Sequence, residues 1–317
     1  MASAEAAPRR KRRRERSASD QRTGVDYPRW YWPAFTASGL IWLLLFFVLP
    51  FYVVVSVAFG TVDPFFRAPL PVYQPWWWSF STFTATLQKF SAGGVYFDPL
   101  IRTLVFVFAA SAICLVIGYA VAYYTARFAG KRKGLILVLL VAPFWISYLM
   151  RIYAWQSLLQ PDGYINDILG IFRIAPVEWL AGKPVTVILG LVYGYIPFMI
   201  LPLFGSLDRI NQNLLEAGRD LGASPFQTFR RVTLPLSKPA ILAGLVIVSL
   251  PMFGDYFTNN LLGTTTTSMY GNLLDNSIGQ AGQGPELGSL TLILVALVML
   301  PMLYYLRATK RAAEGRT

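Results

Sequence analysis

Six long apolar runs constrain this chain more than any other feature. They lie at roughly 34–59, 101–127, 134–158, 185–206, 239–262 and 287–306. Each reaches or exceeds the length of about 18 to 20 residues that crosses a bilayer. Inside hydrocarbon, backbone N–H and C=O groups have no water to bond, so only helices and closed barrels span it. A barrel strand is short and alternates apolar with polar side chains; these runs do neither. Composition agrees, with 55% hydrophobic and only 14% charged residues over 317 positions. The expected fold is an all-α membrane protein with six transmembrane helices. It divides into a basic N-terminal tail (1–33), expected to be largely disordered, a membrane domain (34–306) and a basic C-terminal tail (307–317). The first run is too long for the core of a cleavable signal, and no small-residue cleavage site follows it. It is expected to stay as the first helix.

Charge sets the expected orientation. Of the 28 Lys and Arg residues, 22 fall in 1–33, 127–133, 207–238 and 307–317. By the positive-inside rule these segments, and both termini, lie in the cytoplasm. The opening RRKRRRER reads as a topogenic tail beside anionic headgroups, and no nucleic-acid partner is expected. The outer loops hold Asp63, Asp98, Asp162, Asp167, Glu178, Asp275 and Glu286 against Arg67, Lys89, Arg173 and Lys183. That acidic balance is a mild hint of a cationic solute.

Several chemistries are excluded. There is no histidine, which removes histidine catalysis and most zinc sites. Cys114 is the single cysteine, so no disulfide closes within the chain. A phosphate-binding loop needs Gly-Lys followed by Ser or Thr, yet Gly130-Lys131 continues with Arg132 and Gly182-Lys183 with Pro184. The chain is expected to be no enzyme and to hold no cofactor or metal. If ATP and Mg are used, a partner chain binds them.

The loop at 60–100 carries Pro69, Pro71, Pro75 and Trp76–Trp78, expected at the outer interface. Pro143 should kink the third helix. With Pro197 and Pro202 in the fourth helix and Pro251, Gly254 and Asp255 in the fifth, the bundle reads as bent around a path.

Between the fourth and fifth helices runs EAGRDLGASPFQTFRRVTLPL, Glu216 to Leu236. Asn213 and Glu216 have capping-box spacing, as do Ser224 and Gln227, with Pro225 preformed for a first helical position. Gly222 fits the left-handed residue that ends a helix. The expectation is a short helix to about Leu221, a glycine turn, and a second helix to about Val232 that Leu234-Pro235 closes. Leu221, Phe226 and Phe229 give it an apolar side; Arg219, Asp220, Arg230 and Arg231 give a charged one. Such a hairpin either lies on lipid or docks a partner.

This stretch (211–235) resembles the EAA loop of permease subunits of ATP-binding-cassette importers. Glu216, Ala217, Gly218, Gly222, Val232, Leu234 and Pro235 keep its spacing, with Gly218 replacing an alanine and Val232 an isoleucine. The segments 142–167 and 252–274 are similar to the spermidine/putrescine, PotB-like branch, whose relatives also handle opines, phosphonates and iron. The resemblance implies a type I importer fold in the bacterial inner membrane. It also implies two ATPase subunits docked at EAA loops, a second, PotC-like permease subunit and an extracytoplasmic solute-binding protein. The cargo it implies is a polyamine. An ion-coupled secondary transporter and a scaffold are the rivals, and the EAA spacing and membrane-embedded charges argue against them.

Two charges lie deep within the apolar runs, away from their ends. At about 1.5 Å per residue, Arg151 stands about 26 Å along the third helix and Asp255 about 24 Å along the fifth. They should lie at similar depth. Either they pair, or Arg151 snorkels to the outer interface, or Asp255 meets a substrate ammonium with Tyr148, Trp155 and Tyr256 adding cation–π contacts.

Overall fold

The computed structural model describes residues 31–313. Residues 1–30 and 314–317, on which most of the expected disordered tail falls, lie outside the described residues. The chain divides into two units, Met1–Tyr52 and Val53–Thr317.

In the first unit, α1 (Tyr31–Leu43) passes through a π-helical turn (Leu44–Val48) into α2 (Leu49–Ala58), which ends in the second unit. The large side chains Phe35, Leu40, Leu45 and Phe47 are exposed, and Trp42 stacks on Phe46 at 4.6 Å. From Ala34 to Tyr52 the residues are exposed without interruption, as a lipid-facing apolar helix requires.

The second unit opens with a two-residue antiparallel ladder, β1 (Thr61–Val62) on β2 (Pro69–Leu70). A 3-10 turn (Pro75–Trp77) and α3 (Ser81–Gln88) follow. Trp78 stacks on Phe59 and donates its indole N–H to the Val72 carbonyl, while Trp76 and Trp77 stay exposed. The long helices are α4 (Phe97–Arg127), α8 (Pro184–Arg209), α11 (Leu234–Phe253) and α14 (Gly284–Ala313). The last runs past residue 306, so the start of the expected C-terminal tail is helical. Between α4 and α8 lie α5 (Lys133–Val141), α6 (Tyr148–Leu158) and α7 (Tyr164–Ile171). Between α8 and α11 lie α9 (Gln212–Asp220) and α10 (Pro225–Thr228), and α12 (Phe257–Leu262) and α13 (Tyr270–Ser277) precede α14.

Helices α4, α8 and α11 form the core. Phe106, Ala110 and Cys114 of α4 meet Leu191, Met199 and Leu203 of α8 and Val248 and Met252 of α11. Two hydroxyls buried within the bundle are satisfied locally: Thr103 donates to the Pro99 carbonyl and Thr125 to that of Val121, one turn back. Large apolar side chains such as Phe108 and Val116 face outward.

Among the described residues, five helical stretches are long and apolar enough to cross a bilayer, and a sixth span requires counting a bent pair as one. That pair corrects the expected third helix. It does not merely kink at Pro143; 130–145 and 148–158 meet at 89°. Pro143 lacks an N–H and its ring clashes with the preceding turn. The chain therefore tightens into a 3-10 turn (Ala142–Trp145) and then extends at Ile146 and Ser147. The fifth helix is corrected too. It ends at Phe253 rather than near 262, with Gly254 as its C-cap, and α12 is a separate short helix. Asp255 thus sits in the break between helices, not inside one.

Candidate functional site

Two polar features stand out from the apolar bundle. The first is the hairpin between α8 and α11. Its turn forms as expected: Gly222 has φ +79°, its N–H bonds the Arg219 carbonyl, and the Ala223 N–H bonds that of Gly218. These two bonds satisfy carbonyls that α9 leaves open. Ser224 Oγ accepts from the Gln227 N–H at 3.2 Å, and Gln227 Oε1 accepts from the Ser224 N–H at 3.0 Å, completing the box that begins α10.

The start of α9 differs from expectation. Asn211, not Asn213, caps it, its Oδ1 accepting from the Asn213 N–H at 3.0 Å. Leaving α8 in extended conformation at Ile210, the chain reaches a capping geometry at once, so the earlier asparagine takes the role. Leu214 then occupies the third helical position, and Glu216 closes no box. Glu216 is exposed and has no side-chain partner among the described residues. Nor does Leu234-Pro235 close the second helix. Helix α10 runs through a π-helical turn (Phe229–Thr233) straight into α11, giving one continuous stretch, Pro225–Phe253. Pro235 stands just after that π-helical turn, where the regular i to i−4 ladder is already interrupted, so its missing N–H breaks no regular bond.

The hairpin is anchored by Phe229, whose ring meets Tyr119 and Tyr123 of α4 edge-on at 5.7 and 5.8 Å. Gly218 faces Thr228: an added Cβ would stand 3.4 Å from Thr228 Oγ1, an ordinary contact that an alanine would make. Ala217 and Pro235 are exposed, while Val232 and Leu234 are half-buried. Leu221 is 89% and Phe226 69% exposed. The apolar side foreseen for the hairpin is therefore divided, with Phe229 packed inward and the other two presented outward.

The second feature is a buried carboxylate. Asp255 Oδ1 accepts from the Thr258 N–H at 2.9 Å and so begins α12. Its Oδ2 accepts from Thr258 Oγ1 (2.8 Å), Tyr148 Oη (2.8 Å) and Tyr195 Oη (3.0 Å). These donors come from α6, α8 and α12, so one carboxylate ties three helices. Arg151 does not pair with it. Its Nε and Nη1 are buried with no hydrogen-bond partner among the described residues. The guanidinium instead lies 4.0 Å from the Phe144 ring centroid, with Tyr148 and Tyr193 at 5.6 and 5.7 Å. Nor does it snorkel, being 8% exposed. Trp155 packs edge-on against Tyr193 at 5.3 Å, and half-buried Tyr256 lies on Phe257 at 4.0 Å. Of the five residues singled out by sequence, Tyr148 and Asp255 touch, and Arg151 joins them through the Tyr148 ring.

Sequence reasoning missed Tyr195 and Thr258, and the signal for both was GLVYGY, 190–195. Glycines four apart open one face of a membrane helix to close packing. A Cβ on Gly190 would come within 2.7 Å of Thr258 Cγ2, and one on Gly194 within 2.9 Å of Tyr148 Cε2. The two glycines therefore seat two of the carboxylate's donors.

Comparison with known proteins agrees with this architecture. Residues 94–313 match the family described as binding-protein-dependent transport system inner membrane component. The chain is 35% identical over 275 residues to the spermidine/putrescine transport system permease protein PotB of Escherichia coli, covering 85% of this chain and 94% of that one. It is 35% identical over 277 residues to PotB of Haemophilus influenzae, with 85% and 91% covered. Among solved structures, it superposes on a chain of a bacterial alginate ABC transporter with a TM-score of 0.71 at 17% identity, covering 89% of this chain and 95% of that one. For the MetNI methionine ABC transporter the TM-score is 0.51 at 20% identity, with 67% and 93% covered. The structural matches speak to the fold, and the family match and sequence identity to descent: the chain belongs to the binding-protein-dependent transport system inner membrane components, the permease subunits of type I ABC importers.

Proposed function

We propose that this permease forms half of the translocation path for a small cationic solute, a polyamine of the spermidine/putrescine kind. The observation that carries the reading is the 35% identity along 85% of the chain with permeases named for those solutes. The buried carboxylate supports it. Three hydroxyls and one amide solvate Asp255 without bringing it positive charge, and Arg151 rests on aromatic rings instead of neutralising it. An ammonium group nearby would meet an anionic centre beside the ring of Tyr148, while Trp155 and Tyr256, singled out with it by sequence, pack on Tyr193 and Phe257. Arg151 enters the proposal as part of the wall rather than as a contact for the cation.

The hairpin is proposed to dock an ATPase on the cytoplasmic side, through Glu216, Ala217 and the exposed Leu221 and Phe226. Gly218, Gly222, Val232, Leu234 and Pro235 shape it. Two ATPase subunits would bind and hydrolyse ATP with Mg. A second, PotC-like permease would complete the path, and an extracytoplasmic binding protein would deliver solute. The chain itself would carry out no covalent chemistry. Both termini are proposed to lie in the cytoplasm, on the charge asymmetry of the loops.

The test is uptake of labelled spermidine by the importer reconstituted with all its subunits. Uptake competed by putrescine and not by neutral sugars is expected. Transport of another solute with no polyamine uptake would overturn the polyamine assignment and leave the family assignment intact.

A further inference from the structure

We propose that this chain holds an anionic phospholipid at the hairpin end of α8, with the headgroup phosphate in a basic pocket and an acyl chain in an adjoining apolar groove. A polar cavity of about 560 Å³ opens where α4, α5, α8 and α9 converge. Arg127, Lys133 and Arg209 line it against a single acid, Asp208. Lys133 is already paired with Asp208 at 2.5 Å. Two arginines remain. Arg127 donates one bond from Nη1 to the Ile210 carbonyl at 3.2 Å, but its Nε and Nη2 are buried with no partner among the described residues. Arg209 is exposed. The cavity also includes Asn211 and Gln212, at the N-terminus of α9, where the helix dipole favours negative charge. The surplus charge calls for an anion.

Depth identifies which anion. Arg127 and Arg209 are the last residues of two spans, Phe97–Arg127 and Pro184–Arg209, and Gly130 opens the next. A cavity among the ends of three spans lies at headgroup level, where basic pockets between membrane helices take anionic headgroups. A second cavity of about 730 Å³ shares Arg209, Ile210 and Asn211 with the first and continues between α8 and α11. Pro202 and Gly205 form one wall, Leu236, Pro239 and Ala243 the other. From Arg209 to Pro202 the groove follows α8 for about 10 Å. Polar pocket and apolar groove joined at one arginine match a phospholipid, whereas free phosphate would use only the pocket.

The experiment measures lipid retained by the purified importer complex, by native mass spectrometry. Phosphatidylglycerol, phosphatidylcholine and inorganic phosphate serve as separate probes. Phosphatidylglycerol should be held in preference to phosphatidylcholine. Arg209→Gln should weaken it about fivefold and Arg127→Gln with Arg209→Gln about thirtyfold, from roughly 1 kcal/mol per cation near the headgroups. Arg127 also anchors Ile210, so the exposed Arg209 is the variant that keeps the test clean. Gly205→Leu fills the groove where an added Cβ meets nothing within 4 Å. It should reduce phosphatidylglycerol retention and leave the basic pocket untouched. Equal retention of both lipids, or retention unchanged by Arg209→Gln, overturns the proposal. So does inorganic phosphate displacing the ligand while Gly205→Leu has no effect, which would make the site one for a free anion.

Discussion

Asp255 concentrates what single residues do in this bundle. A carboxylate offers about four acceptor positions, and here four intrachain donors converge on it, three on Oδ2 and one on Oδ1, which leaves one position on Oδ1 open. Asp255→Asn replaces one oxygen by a donor, so either orientation of the amide faces an N–H or hydroxyl that was donating. Loss of a bond to a charged group costs about 1.5–3 kcal/mol. The expected outcome is a lower melting temperature for the solubilised protein, together with a raised KM for cation uptake. A lowered melting temperature with unchanged KM would leave Asp255 a strut and remove it from the path. Glu216 is simpler than its spacing implied. Since Asn211 caps α9, Glu216→Lys leaves the cap intact. It should weaken co-purification of the ATPase tenfold or more, through an adverse charge at an interface, with the melting temperature of the permease unchanged. Arg151 was visible in the sequence as a charge in an apolar run. Its rings were not, because Tyr193 lies in another helix and Phe144 approaches only across the break before α6.

At the scale of elements, the glycine turn and the cap of α10 were legible; the cap of α9 and the continuity of α10 with α11 were not. Gly222, Ser224, Pro225 and Gln227 act within six consecutive residues, so their order in the chain fixes their geometry. Whether a helix stops at Pro235 or passes through it depends on packing that local sequence does not record. Here Phe229 held between Tyr119 and Tyr123 carries α10 into α11 through a π-helical turn. The same limit applies at Pro143, where the sequence foretold a bend but not 89°. Two substitutions test the packing directly. Gly194→Ala places a methyl 2.9 Å from the Tyr148 ring and should destabilise by about 1–3 kcal/mol, read as a fall in melting temperature. Gly218→Ala meets only ordinary contacts and should stabilise α9 by about 1 kcal/mol, read as roughly fivefold slower amide exchange in the hairpin.

Across the whole molecule, a packed core of α4, α8 and α11 carries the polar hairpin at one end. The carboxylate that ties α6, α8 and α12 together lies in the same unit. Composition and run length were enough to give the class of fold, because hydrocarbon leaves a helical chain few alternatives. The central claim is that work done by ATPases docked on the hairpin moves solute along these helices. It is tested most directly by solute uptake into proteoliposomes holding the permease pair and binding protein, with and without the ATPase subunits. The account predicts uptake that requires both ATP and the ATPase, and that Glu216→Lys largely abolishes. Uptake persisting at full rate without the ATPase, driven by an ion gradient, would contradict it.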